Sequence, residues 1–113
     1  MAIAINRPRK RALEAELARI LPLLVNDYGA EKVILFGSLA TGEVGEWSDL
    51  DLVVIKNTDR RFFDRIDDVT RLTRPRIATD IFVYPPATFK ALCAERRFFK
   101  EEVLAKGRVI YET

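Results

Sequence analysis

Histidine is absent from the 113 residues, which excludes Ser-His-Asp and Cys-His catalysis and every His-containing zinc site. Cysteine occurs once, at Cys93, so no internal disulfide can form and a reducing cytoplasm is the expected compartment. No run of about 18 apolar residues occurs and the N-terminus lacks a signal peptide's apolar core, so no membrane association is expected. Net charge is scarce too. The 19 basic residues exceed the 17 acidic ones by only two, which argues against a dedicated nucleic-acid binder. The one local basic excess, Arg7, Arg9, Lys10 and Arg11, reads as a solvated helix start. Any chemistry must therefore run on carboxylates, hydroxyls, basic side chains or a carboxylate-bound metal.

What is present suits a globular chain: 49% of residues are hydrophobic and 32% charged. The length fits one domain, residues 1–113, with no room for a separate substrate-recognition module. A large acceptor must then be held by the domain's own surface or by a partner. The patterning predicts the order helix, strand, strand, helix, strand, helix, helix, strand. That is an α/β chain of the α+β type, with a small mixed sheet of three to four strands flanked by helices.

Leu13, Leu17, Ile20, Leu21, Leu24 and Tyr28 recur at three- and four-residue steps and predict a helix from about Pro8 to Tyr28. Gly29 ends it, and Pro22 is expected to kink or split it. Lys32–Phe36 reads as a buried strand, Ser38–Ser48 as a helical turn and loop, and Asp49–Ile55 as a central strand. Asp59 is placed as the cap of a helix over Arg60–Arg74, and Arg76–Tyr84 as the third strand. Pro86 opens the next helix, Phe98–Lys106 forms another, and Val109–Tyr111 is a short last strand.

Two features carry chemistry. Gly37-Ser38 follows a buried strand directly, and ten residues (39–48) separate it from Asp49-Leu50-Asp51 at the next strand's start. Glycine lets backbone approach a phosphate, and turn N–H groups with a serine hydroxyl can cradle it. Residues two apart on a strand share a face, so Asp49 and Asp51 project together. Like charges on an otherwise apolar strand repel unless a cation relieves them, and magnesium takes carboxylates together with substrate phosphates. Asp80, inside the core-like Ala78-Thr79-Asp80-Ile81-Phe82-Val83, completes the set; a salt bridge to Arg74 or Arg76 is the structural alternative.

Gly37-Ser38, Asp49-x-Asp51, Asp80 on a later strand and the ending Gly107-Arg108-Val109-Ile110-Tyr111 resemble the minimal nucleotidyltransferases of the DNA polymerase β-like superfamily. The resemblance spans most of the chain and implies a nucleotidyltransferase fold. It also implies transfer of a nucleoside monophosphate, AMP from ATP or another NTP, to an acceptor hydroxyl, with two Mg2+ ions. By position, Gly37 and Ser38 would bind the triphosphate, Asp49 and Asp51 both metals, and Asp80 the second metal and the acceptor proton. Relatives of this size often pair with a helical protein of the HEPN type, in some cases as antitoxins that adenylylate the toxin. The chain departs from the family at Gly37-Ser38-Leu39-Ala40-Thr41-Gly42, where common arginines are replaced at Leu39 and Thr41. Lys32 and Lys56 are the basic residues considered as substitutes. The departure also gives the alternative function, an antitoxin or adaptor that acts by binding its partner with little or no catalysis. A homo-oligomer is left open.

Four other expectations concern side chains. Trp47 is expected to pin its loop to the core rather than stack on a base, and Cys93 to be buried. Asp64, Arg65, Asp67, Asp68 and Arg71 read as a solvated helix face. One member of each pair, Phe62-Phe63 and Phe98-Phe99, has no obvious place in a core.

Overall fold

The computed structural model describes residues 4–113. Its elements are α1 (Arg7–Pro22), continued by a π-helical stretch (Leu23–Asp27), β1 (Lys32–Phe36), α2 (Ser38–Thr41), β2 (Leu50–Ile55) and α3 (Phe62–Thr73). There follow β3 (Thr79–Tyr84), α4 (Pro86–Glu95), a second π-helical stretch (Phe99–Ala105) and β4 (Arg108–Glu112). The strands form one mixed sheet in the order β3-β2-β1-β4. β1 is antiparallel to both its neighbours, whereas β2 and β3 run parallel.

Strand alternation sorts the core into two halves. Val33, Leu35, Leu50, Leu52, Val54, Ile81 and Val83 point to one side, where Leu13, Ile20 and Leu24 of the first helix and Val69 of α3 cover them. Ile34, Phe36, Val53 and Ile55 point to the other, beneath Phe89 of α4 and Val103 of the second π-helix. Helices therefore lie on both faces of the sheet.

The helix starts and stops follow local chemistry. Asn6 caps α1 by accepting the Arg9 backbone N–H at 2.9 Å. Pro22 has no N–H to give, and the helix widens immediately after it, with Tyr28 N–H bonding Leu23 O at 3.0 Å. Gly29, at φ +81°, ends the run. The Phe98–Lys106 helix is likewise π-helical, a form that apolar periodicity does not distinguish from an α-helix; Phe99 and Val103 pack into the second core half.

Three expectations are corrected. Asp59 does not cap α3: the helix begins at Phe62 after an extended Arg61. The preceding turn is held instead by Thr58 Oγ1, which accepts Arg60 N–H, and by the Arg60 guanidinium gripping Asp68 at 2.9 and 3.0 Å. Arg65 is not on a solvated face. It is 8% exposed, its guanidinium lies over the Phe62 ring at 5.5 Å, and its Nε and Nη1 have no protein partner. β3 starts at Thr79 rather than Arg76, because the preceding segment is bonded to a side chain from α1.

That side chain is Glu16, 6% exposed. It accepts two bonds from the Arg19 guanidinium, at 2.7 and 3.0 Å, and one from the Arg76 backbone N–H. Arg19 also donates to Thr73 O at 2.9 Å and Arg74 O at 3.2 Å, so the pair ties α1 to the end of α3 and the approach to β3. The Arg19 bond, then the Arg76 N–H, hold the Glu16 carboxyl at about 2 against the opposing effect of burial. A carboxyl whose folded pKa lies below its unfolded value stabilises the fold above the unfolded value, near 4.5, and loses that contribution as pH falls toward 2. Glu16→Gln is expected to lower unfolding stability at pH 7 by about 2 kcal/mol, and the gap to wild type should close between pH 4.5 and 2 in urea titrations.

Candidate active site

Asp51 and Asp80 stand opposite each other in the register of the parallel β2–β3 pair. Both lie on the sheet face shared with Val53, Ile55, Phe82 and Tyr84, at the end away from α4. The parallel pairing puts the two carboxylates on neighbouring strands at the same height, a juxtaposition residue spacing alone does not fix. Asp49 sits two residues before Asp51, just ahead of the strand, and is partly exposed.

Gly37 closes the site from β1. Its backbone, at φ +78° and ψ −158°, lies in a region that essentially only glycine occupies. Its missing side chain matters as much, since a Cβ built there would overlap Asp51 Oδ2 and stand 3.2 Å from Asp51 Cγ. The turn and the carboxylate thus pack directly together, with Ser38 opening α2 beside them. Gly37 O takes the N–H groups of Ala40 and Thr41 at 3.1 and 3.2 Å, and Leu39 anchors the short helix in the core.

This crowding shows in the acidity of Asp51. Burial, then the charges of Asp80 and Asp49, then a hydrogen bond shared with Asp80, push its carboxyl up to about 6. Among the described residues, no group of three or more His, Cys, Asp or Glu side chains is arranged to hold a metal ion. What is brought together is the Asp51–Asp80 pair, with Asp49 near enough for its charge to be felt. Two carboxylates, hard oxygen donors strained by their own repulsion, fit a cation such as magnesium, which ordinarily takes one or two carboxylates and completes its shell with water and phosphate.

Neither Arg74 nor Arg76 forms an ion pair with Asp80 among the described residues, and the Arg76 N–H is engaged by Glu16. Lys32 and Lys56 do not stand at the Gly37-Ser38 turn. Lys56 is five residues along β2 from Asp51, roughly 16 Å at 3.3 Å per residue, and bonds Tyr28 O while lying over the Tyr28 ring. Lys32 opens β1 at the opposite end from Gly37 and faces Glu112 at 4.0 Å.

The loop before Asp49 is not pinned by Trp47, which is 84% exposed. Ser48 holds it instead: its Oγ accepts Gly45 N–H at 2.8 Å and its carbonyl accepts Arg9 Nε at 2.9 Å. Arg9 is therefore engaged with the loop rather than simply solvated, and only the tertiary contact shows it. Cys93 is half-buried, packed against the second core half rather than enclosed in it, and burial pushes its thiol up. Phe63 and Phe98 are the exposed members of the two phenylalanine pairs, at 79% and 51%.

Among the described residues no helix is long and apolar enough to cross a membrane. Among curated proteins, none is significantly similar to the chain. The fold is similar to that of a crystal structure from Sulfolobus solfataricus provisionally described as a nucleotidyltransferase. The TM-score is 0.62 over 90% of this chain and 81% of that one; at 20% identity the likeness speaks for the fold. The family described as polymerase beta, nucleotidyltransferase matches residues 18–113, which include Gly37, Ser38 and all three carboxylates. With a match over that much of its length, the chain belongs to the polymerase β nucleotidyltransferase family.

Proposed function

We propose that the protein transfers a nucleoside monophosphate, AMP from ATP, to an acceptor hydroxyl, using magnesium held by Asp51 and Asp80 with Asp49 beside them. The observation that carries this reading is the in-register Asp51–Asp80 pair, with Gly37 packed against the Asp51 carboxylate. When bound, the metal would supply charge neutralisation for an in-line displacement at phosphorus. Gly37 and Ser38 hold the triphosphate alongside the carboxylates. The acceptor oxygen forms a bond to the α-phosphorus, the bond to the bridging oxygen of pyrophosphate breaks, and the hydroxyl proton passes to Asp80. No step requires histidine.

Membership in the minimal nucleotidyltransferase group, a cytoplasmic location and a HEPN-type partner as acceptor belong to the same proposal. The exposed Phe63 and Phe98 support a protein acceptor. A second reading, an adaptor that works by binding alone, is favoured by Leu39 and Thr41. Leu39 is buried and the Thr41 hydroxyl faces Ser38 O at 3.3 Å, so neither supplies charge for a phosphate.

Labelled ATP with magnesium and the co-purifying partner separates the two. Label on the partner that disappears with Asp49→Ala/Asp51→Ala supports transfer. No label on any partner, with binding to it unaffected by the substitutions, refutes it.

A further inference from the structure

On the opposite face of the sheet from the Asp51–Asp80 pair, α1, α2, β1 and β4 line a half-open hollow of about 310 Å³. Two cations line it, Lys10 from α1 and Arg108 from β4, the latter in register with Leu35. Neither forms an ion pair among the described residues, and Glu14, which shares the hollow one turn from Lys10, comes within ion-pair distance of neither. Leu17 and Leu39 supply apolar wall, and Thr41 adds a hydroxyl. Two cations against the single Glu14 carboxylate leave this half-open hollow a net positive charge beside the apolar Leu17 and Leu39.

We infer that this hollow is a binding site for a small organic anion, a phosphate or carboxylate on a compact apolar body. Lys10 and Arg108 grip the anionic head, and the body lies against Leu17 and Leu39. The site is separate from the carboxylate pair, yet α2 is a wall of both: its first residues follow Gly37, and its last, Thr41, faces the hollow. An occupant therefore buttresses from behind the turn that packs on Asp51.

Phenyl phosphate, benzoate and inorganic phosphate, titrated without nucleotide or metal, serve as probes, read by amide NMR shifts. Because no transfer reaction is needed, failure here is distinct from failure of the proposed catalysis. Saturable shifts at Leu39–Gly42 and Arg108 are expected, retained in Asp51→Asn and weakened at least tenfold in Lys10→Gln/Arg108→Gln with its dispersed spectrum intact. Stronger binding of phenyl phosphate than benzoate assigns a phosphate head, and the reverse a carboxylate. Absence of shifts at Leu39–Gly42, or shifts equal in the double variant, overturns the inference. Should that variant fail to fold, Lys10→Gln alone is read against the same two outcomes.

Discussion

Asp51→Asn should lower nucleotidyl transfer at least about 100-fold while making the metal-free protein more stable at pH 8 by about 1–2 kcal/mol. The two effects have one origin. Burial beside Asp80 and Asp49 pushes the Asp51 carboxyl up to about 6, above the ordinary 3.8. A carboxyl that holds its proton more tightly when folded opposes folding once ionised. That penalty is absent below about pH 3.8, grows as pH rises through 6 and is complete above it. Taken whole, the shift is worth about 3 kcal/mol at 1.36 kcal/mol per unit; partial solvent contact brings it down to the stated range. Asparagine removes the charge and can donate a hydrogen bond to Asp80. Denaturant unfolding at pH 8 and pH 4 checks the sign, because the variant's advantage should be present at pH 8 and shrink at pH 4. An advantage of the same size at both values would detach it from ionisation.

Gly37→Ala is expected to be as damaging to transfer and, unlike Asp51→Asn, to destabilise the fold. The backbone at φ +78°, ψ −158° costs a non-glycine residue about 1–3 kcal/mol, and the added methyl group must displace the Asp51 carboxylate. Activity should fall at least about 100-fold, since a displacement near 1 Å at a reacting centre is enough for that loss. Thermal melting and labelled-ATP assays together check this. Gly37→Ala with wild-type melting and wild-type turnover would show that the glycine–carboxylate contact does not position the site.

The elements themselves were legible where short-range chemistry decides them. Lys32–Phe36 is β-branched and aromatic and ends at glycine, and it forms β1 with those bounds. Pro22 and Gly29 punctuate the first helix as their backbone chemistry requires. Gly37-Ser38 and the three aspartates could be singled out because carboxylates interrupt apolar strands. Their mutual placement could not, because the height at which Asp80 meets Asp51 is set by parallel pairing of strands separated by α3. Glu16 was invisible for a similar reason: it interrupts the helix pattern like any surface residue, and its bond from the Arg76 N–H comes from 60 positions away. Trp47 misled because its size argues for burial, whereas Ser48 and Arg9 hold that loop through bonds no local pattern announces.

Asp51 and Asp80 are proposed to form a divalent-cation site beside Gly37. Thermal unfolding at pH 8 of wild type and Asp51→Asn, each with and without millimolar magnesium, tests it most directly. Magnesium should raise the Tm of wild type and leave that of Asp51→Asn unchanged. An equal rise in both proteins, or none in wild type, would show that the two carboxylates do not hold the cation.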